Sequence, residues 1–251
     1  MRVFRILAAM VVPALLAAAP VPRPKDAFKV TWLGHAAFEV VSPGGTDLLI
    51  DPYLTQDPAT PPADKDLSRY RPAAILVTHS HFDHVGDTTA LAKRTGAKVI
   101  APSELMPMLG VPQGQFIGCN VGGRIQVGDV TIHVVPAMHG STPGGRPVGY
   151  VLTFKDGRSL YHTGDTWIFG DMALIQELYH PDVLLLCVGG GPYTEDPATA
   201  ALAVKKYFHP EAIVPMHYGT FPGLANAEEV RRAFAGDRRL RMMRPGETLA
   251  F

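Results

Sequence analysis

The stretch Thr78-His79-Ser80-His81-Phe82-Asp83-His84-Val85-Gly86 places three histidines and one carboxylate within six positions. It directly follows the apolar run 73–77, which is predicted to be a buried strand because it is short, apolar and partly β-branched. The histidines and the aspartate therefore stand where a strand ends. Loops at strand ends are where rigid scaffolds carry binding and catalytic side chains.

This stretch offers ligands to two neighbouring points in space. His79 and His81 are two positions apart in extended chain, so both imidazoles are expected on one side. Asp83 and His84 fall where the chain turns towards a predicted helix over 88–94. Imidazole and carboxylate groups are the usual ligands of catalytic zinc and related ions, and packing alone does not explain so many crowded polar side chains. The stretch therefore predicts a site for one metal ion or two.

The sequence His-Ser-His-Phe-Asp-His resembles the H-x-H-x-D-H signature of the metallo-β-lactamase superfamily. Further stretches are similar to the UPF0173 group of metal-dependent hydrolases, relatives of the UlaG-like lactonases: Trp32-Leu33-Gly34-His35-Ala36, Leu49-Ile50-Asp51-Pro52, Tyr161-His162-Thr163-Gly164-Asp165-Thr166, Phe169-Gly170-Asp171-Met172 and Pro215-Met216-His217-Tyr218-Gly219-Thr220-Phe221-Pro222. The similarity runs from about Lys29 to the C-terminus. It implies an α/β protein with the four-layer αββα sandwich of the metallo-β-lactamase fold.

The resemblance also implies a set of metal ligands and two divalent ions, with zinc favoured and manganese or iron as alternatives. The implied ligands are His79, His81 and His139 for the first ion, Asp83, His84 and His217 for the second, and Asp165 as the bridge. The members outside the opening stretch each follow a predicted strand. They are therefore expected to meet that stretch at one edge of the sheets.

Five further residues are predicted to lie around the metals or to line the substrate pocket: His35, Asp51, His162, Tyr193 and Thr194. Asp51 is interpreted either as an acceptor that fixes the tautomer of a ligand imidazole or as the cap of a turn before a proline. His162 is interpreted as a pocket residue or as a buried structural histidine. Tyr193 and Thr194 follow closely on three glycines and are expected to touch the substrate.

The predicted activity is that of a metal-dependent hydrolase in which a metal-bound hydroxide attacks a small acyl compound of the lactone or amide type, or a phosphodiester. A bound divalent ion lowers the pKa of water to about 7, so neither a serine nor a cysteine nucleophile is needed. Asp83 is the predicted catalytic residue, which orients the hydroxide or passes a proton to the leaving group. The alternatives are an iron-dependent oxidoreductase of the same superfamily and a non-catalytic metal-binding periplasmic protein.

The composition fits one large core and argues against a nucleic-acid surface. The chain has 251 residues, is 47% hydrophobic and carries a formal net charge of +0, whereas nucleic-acid-binding surfaces show a basic excess. No nucleic acid is therefore expected as a partner. The predicted hydrolase activity makes a small-molecule substrate the expected partner, and a homo-oligomer is left open.

The N-terminus is predicted to be a secretory signal peptide over residues 1–19. Arg2 and Arg5 precede an apolar run, and three alanines end the segment. A linker over 20–27 then leads to a hydrolase domain over 28–251. The expected location is periplasmic or secreted, with no stable membrane association once the leader is removed. An uncleaved membrane anchor is the alternative.

The remaining pattern predicts two β-rich halves, each with helices. It includes a short helix over 104–109, a glycine-rich passage after it, and closing strands over 239–243 and 248–251. The two cysteines, Cys119 and Cys187, neither imply nor exclude a disulfide, because sequence does not report the distance between them. Cys187 lies in an apolar run and is interpreted as a small core residue.

Overall fold

The computed structural model describes residues 27–141 and 144–251, and in these residues the chain forms two β-sheets flanked by helices. The strands are β1 (Lys29–Gly34), β2 (Ala37–Val41), β3 (Asp47–Ile50), β4 (Ala74–Leu76), β5 (Lys98–Pro102), β6 (Phe116–Cys119), β7 (Arg124–Val127), β8 (Val130–Pro136), β9 (Val148–Phe154), β10 (Ser159–His162), β11 (Val183–Cys187), β12 (Ala212–Met216) and β13 (Thr248–Ala250). The helices are α1 (Phe82–Val85), α2 (Thr88–Thr95), α3 (Met106–Leu109), α4 (Met172–Tyr179), α5 (Pro197–Tyr207) and α6 (Ala227–Ala233).

The pairing of the strands brings many of their carboxyl ends to one edge. The first sheet has the order β13-β1-β2-β3-β4-β5-β6 and the second the order β12-β11-β10-β9-β8-β7. In the first sheet β3, β4 and β5 run parallel, and in the second β10, β11 and β12 do the same. β1 and β8 run in the same sense as these strands, because each is separated from them by one antiparallel neighbour. The segments that follow these strands therefore emerge together.

The two sheets and the helices form four layers. Buried residues of both sheets belong to one apolar cluster, which includes Phe38 and Leu184 and is extended by Val204 of α5. A second cluster packs Leu91 of α2 against Ile75 on the first sheet. Burial of apolar surface of this kind is the main favourable term in folding. The predicted αββα sandwich is therefore confirmed.

A buried tyrosine ties the two sheets together beneath the histidine-rich stretch. Tyr150 of β9 donates its hydroxyl hydrogen to the carbonyl oxygen of Val77 at 2.8 Å, and the hydroxyl oxygen lies 3.3 Å from the carbonyl oxygen of Ile100. The backbone N–H of Val148 also donates to the carbonyl oxygen of Thr78 at 3.0 Å. These contacts between the sheets fix the point at which the chain leaves β4 and enters the candidate site.

Two elements differ from their predictions in detail. β6 lies in the glycine-rich passage and was not predicted, since its four residues show neither alternation nor a long apolar run. It pairs with β5 at the edge of the first sheet. The helix expected over 104–109 begins as a 3₁₀ turn, Ser103–Leu105, and only its second half is α-helical. Pro107 is tolerated there because it occupies the first turn of α3.

The strand predicted over 239–243 is wrong. In that range an isolated parallel bridge joins Leu240 to Ile213 of β12, and the Ile213 N–H donates to the Arg239 carbonyl oxygen at 3.0 Å. The next residue of β12 that faces the same side is Pro215, which has no N–H to donate. The ladder therefore cannot continue.

The predicted signal peptide and nearly all of the predicted linker fall on residues 1–26, which lie outside the described residues. The leader and export consequently stay predictions. Among the helices of residues 27–141 and 144–251, none combines the length and apolarity needed to cross a bilayer.

Removing the hydroxyl of Tyr150 tests the tie between the sheets. Tyr150→Phe is expected to lower the free energy of unfolding by about 1–3 kcal/mol, because the buried carbonyl oxygen of Val77 loses its donor. Urea denaturation measures the difference. Tyr207→Phe is the matched control, since its hydroxyl makes no hydrogen bond within the described part of the chain. Equal stability of the two variants would contradict the proposed tie.

Candidate metal centre

The predicted metal ligands lie at the edge where the strands end. His79 and His81 follow β4, Asp83 and His84 lie on α1, His139 follows β8, Asp165 follows β10 and His217 follows β12. The structure brings all seven side chains together. An eighth side chain, that of His35 immediately after β1, joins them.

Four side chains form the first group: His79, His81, His139 and Asp165, each with a ligand atom within 4.8 Å of the others. His81 Nδ1 lies 3.0 Å from His79 Nε2 and 3.2 Å from His139 Nε2. His139 Nε2 lies 3.5 Å from Asp165 Oδ2. Three imidazole nitrogens and one carboxylate oxygen thus face one point, a donor set that suits a zinc-type ion.

The second group contains His35, Asp83, His84 and His217, again within 4.8 Å of one another. Asp83 Oδ2 lies 3.0 Å from His35 Nε2 and 3.6 Å from His217 Nε2. Sequence reasoning placed His35 around the metals but not among the ligands, whereas its ring centroid lies only 3.9 Å from that of His217. Both histidines have positive φ, 42° and 64°, which is uncommon for residues other than glycine. Tight backbone bends at the ends of β1 and β12 therefore aim these rings at Asp83.

Asp165 faces both groups. Its Oδ1 lies 3.3 Å from His84 Nε2, and its Oδ2 lies 3.0 Å from His217 Nε2, both of the second group. The same Oδ2 lies 3.5 Å from His139 Nε2 and 4.0 Å from His79 Nε2 of the first group. One carboxylate is therefore shared between two sets of imidazoles.

Two buried nitrogens show that the site fits metal ions. His84 Nε2 and His217 Nε2 approach Asp165 closely, yet neither contact has the alignment of a hydrogen bond, and neither atom has another partner among the described residues. Buried polar atoms in proteins normally have a partner. Nitrogen and oxygen atoms that converge without hydrogen bonding fit a bound divalent cation.

Mutual electrostatics keep the two carboxylates of the site ionised. Burial by itself raises the pKa of Asp165, but His217 and His84 outweigh it and hold that pKa well below its usual range. Burial also opposes ionisation of Asp83, where the neighbouring His217 and His35 side chains hold the pKa well below its usual range. Burial lowers the pKa of His217, but Asp165 outweighs it and raises that pKa to about 9. The site therefore keeps two ionised carboxylates, which are groups that attract cations.

Asp51 holds the ligand-bearing stretch in place. Its Oδ1 accepts from the N–H of Thr78 at 2.8 Å, and its Oδ2 accepts from the Thr78 hydroxyl at 2.7 Å. His84 Nδ1 lies 2.7 Å from the same Oδ2. Since the Nδ1 of His84 is occupied by this carboxylate, its Nε2 is left to face the metal groups.

The other three predicted site residues have different surroundings. Tyr193 lines the pocket beside the metal groups. The hydroxyl of Thr194 instead accepts from the N–H of Gly190 at 3.0 Å, and Thr194 is not among the residues that line that pocket, so its substrate contact stays a prediction. His162 is fully buried, with Nε2 3.0 Å from the carbonyl oxygen of Ala36 and Nδ1 accepting from the N–H of Gly164 at 3.1 Å. It is a structural histidine that supports the turn before Asp165.

Sequence reasoning missed the position of Cys187. Both cysteines are free, and the fully buried Cys187 thiol lies 3.7 Å from Asp165 Oδ1, to which it donates. Its sulfur belongs to a third potential ligand group with Asp165 and His217. The available signal was its place at the end of β11, between the strands that lead to those two residues.

A buried carboxyl group behind the site stays uncharged at neutral pH. Glu195 is 1% exposed, and neither of its carboxyl oxygens has a hydrogen-bond partner among the described residues. Burial, with a smaller contribution from Asp196, raises its pKa to about 8. Its backbone N–H donates to the carbonyl oxygen of Thr166, next to Asp165. Glu195 therefore lies close to the site without adding a negative charge to it.

Known proteins resemble this chain over most of its length. Residues 29–217 match the family model described as a beta-lactamase superfamily domain. The chain is 46% identical to a UPF0173 metal-dependent hydrolase of Anaeromyxobacter sp. (strain K), over 89% of this chain and 86% of that protein. It is 41% identical to another of Koribacter versatilis, over 88% and 97% respectively. The solved structure of Igni18, a novel metallo hydrolase from Ignicoccus hospitalis, superposes with a TM-score of 0.78 and 38% identity, over 89% of this chain and 98% of that chain.

Replacing Asp51 tests whether it supports the site. Asp51→Asn is expected to weaken the binding of a divalent ion about 10- to 100-fold without unfolding the protein, because His84 loses its anionic partner. Calorimetric titration of zinc into metal-free protein measures this, with circular dichroism as the check on folding. Asp129→Asn is the matched control, since Asp129 also accepts several hydrogen bonds but lies in turns at the opposite end of the sandwich. Equal zinc affinity in the two variants would argue against the supporting role.

Proposed function

Because the chain belongs to the beta-lactamase superfamily, and within it to the UPF0173 metal-dependent hydrolases, we propose that it hydrolyses a small uncharged acyl compound of the lactone, ester or amide type at a pair of divalent ions. The single observation that carries this proposal is the sharing of Asp165 between two groups of imidazoles. Two ions that lie close together repel each other, and an anionic carboxylate between them offsets that repulsion.

We assign the residues as follows. The first ion would be held by His79, His81 and His139, the second by Asp83, His84 and His217, and both by Asp165. Ions held by these residues would lower the pKa of bound water from about 15.7 to about 7 and so would supply a nucleophile at neutral pH. Zinc is the favoured metal, because imidazole and carboxylate are its usual ligands in catalytic sites.

Asp83 is the proposed proton carrier. It is one of the two carboxylates that face the pocket, and His35 and His217 fix its Oδ2 from two sides. In hydrolysis the water oxygen forms a bond to the acyl carbon, the bond from that carbon to the leaving oxygen or nitrogen breaks, and a proton moves from the water to the leaving group. An ionised carboxylate at this position accepts the proton and then returns it.

The pocket favours an acyl compound over a phosphodiester. Its volume is 460 Å³, within the range of small-molecule sites, and none of the described residues that line it is a lysine or an arginine. Recognition of the extra negative charge of a phosphodiester generally uses such cations. An uncharged carbonyl compound needs only the metal groups and apolar walls.

A substrate panel on protein with defined metal content tests the proposed function. Lactones and carboxylic esters are expected to be hydrolysed, a chelator is expected to stop the reaction, and phosphodiesters are expected to show a much lower kcat/KM. Metal content is measured on the same sample by plasma emission spectroscopy. Iron as the bound metal, together with no hydrolysis of any panel member, would favour the oxidoreductase alternative.

Asp165→Asn tests the shared carboxylate. The amide keeps the shape but removes the negative charge, so the folded variant is expected to bind one ion where the wild type binds two. Turnover is expected to fall about a hundredfold or more. Replacing a residue that only supports a ligand already lowers metal affinity or activity about 10- to 100-fold, and Asp165 is itself a candidate ligand. Asp182→Asn is the matched control, because Asp182 accepts from the Ser159 N–H at the opposite end of β10. Two ions and near-normal turnover in Asp165→Asn would show that this carboxylate does not bridge.

A further inference from the structure

The pocket beside the metal groups is lined by two chemically distinct sets of residues. One set consists of candidate ligands: His81, Asp83, His139, Asp165 and His217. The other set is apolar or aromatic, and the part of the lining that it forms is here called the apolar end: Phe82, Tyr193, Phe221, Pro222 and Leu224. A substrate that fills the pocket must therefore place its reacting group beside the first set and a different kind of group at the apolar end.

The apolar end exposes aromatic surface that the core does not use. The side chain of Phe82 is 66% exposed and that of Tyr193 is 59% exposed. Exposed apolar surface next to a reactive site commonly marks a binding surface. Phe82 lies between His81 and Asp83 in the chain and lines the same pocket as both of them.

The aromatic wall is already assembled in the structure. The ring centroid of Phe82 lies 6.1 Å from that of Phe221 and 5.8 Å from that of Tyr53, both within the range of aromatic pairing. Tyr53 is itself buried, and its hydroxyl donates to the carbonyl oxygen of Gln56 at 3.2 Å. The wall therefore needs little reorganisation when an apolar group binds to it.

The distribution of charged side chains around the pocket also favours an apolar group at the apolar end. Among the described residues that line the pocket, every histidine and aspartate is a candidate ligand, and the apolar end has no ionisable side chain other than the phenol of Tyr193. A carboxylate, phosphate or ammonium group placed there would lose water without gaining a charged partner. An uncharged group is therefore favoured at the apolar end.

We propose that the substrate is an uncharged carboxylic ester or lactone that carries an apolar chain on its acyl side, with Phe82 and Phe221 as the residues that select the chain. This inference rests on the proposed function, because it assumes hydrolysis at the metal groups. It adds that specificity comes from the length and charge of the chain and not from hydrogen bonds to polar substituents.

A series of p-nitrophenyl esters from acetyl to octanoyl tests the inference on metal-loaded wild-type protein. The value of kcat/KM is expected to rise roughly three- to fourfold for each methylene until the apolar end is full. A half-ester of equal length that ends in a carboxylate is expected to react at least about tenfold more slowly than its uncharged counterpart. A flat series, or no penalty for the carboxylate, would overturn the inference.

Variants locate the selection in the named residues. Phe82→Ala and Phe221→Ala are each expected to flatten the chain-length dependence, with the octanoyl ester losing about tenfold and the acetyl ester losing least. Leu178→Ala is the matched control, because its side chain is also 66% exposed but lies on α4 and does not line the pocket. If both variants keep the full dependence, the selection does not reside in these rings.

Binding without turnover supplies a second measurement. The 2-alkanones are uncharged and are not hydrolysed, and their affinity measured by calorimetry is expected to rise with chain length in the wild type and less steeply in Phe82→Ala. Different results would contradict the proposed hydrolase function and the proposed selection of an apolar chain. Absence of hydrolysis for every ester, including acetyl, contradicts the proposed function, whereas hydrolysis and ketone binding that ignore chain length contradict only the present inference.

Discussion

The arrangement of the site depends on one buried carboxylate. Asp165 is 2% exposed and approaches four imidazoles, which come from three segments that are distant in the chain. Removing an ionised carboxylate from water costs several kcal/mol unless neighbouring groups compensate. Here the compensation comes from His84 and His217 in the protein, and from divalent ions when these are bound. The same carboxylate therefore balances the charge of the ligand shell and connects the two halves of the chain.

Buried hydrogen bonds from the surrounding scaffold hold the histidine-rich stretch in position beside Asp165. Asp51 holds both the backbone and the hydroxyl of Thr78 and orients His84, while Tyr150 ties the preceding residue, Val77, across the sheets. The side chains of Asp51 and Tyr150 are both buried, so neither can exchange its hydrogen-bond partners for water at low cost in free energy. The ligands can then stay close together before a metal arrives, although crowded imidazoles alone would tend to separate.

Sequence reasoning predicted those features of the site that depend on residues close together in the chain. The spacing of His79, His81, Asp83 and His84, and the strand-and-turn pattern before each remaining ligand, are properties of neighbouring residues. The position of His35 depends instead on a backbone bend with positive φ after β1, which no residue type announces. The contact of Cys187 with Asp165 depends on the register of parallel β10 and β11, strands that helix α4 separates in sequence. The missing strand over 239–243 depends on Pro215 of a partner strand. In the last two cases the deciding interaction is between residues distant in the sequence, and in the first it is a backbone conformation that the residue types do not specify.

The short helix α1 carries both a candidate metal ligand and an aromatic ring that lines the pocket. Phe82 and Asp83 are consecutive, so the backbone that presents the carboxylate to the second metal group also presents an aromatic ring to the pocket. Phe221 follows His217 by four residues and packs against both Phe82 and His35. A chain seated on these rings would therefore press on the same two segments that carry ligands of the second group. Such a pocket can use the binding energy of a distant apolar group to position the acyl carbon, which accelerates hydrolysis only when the chain is present.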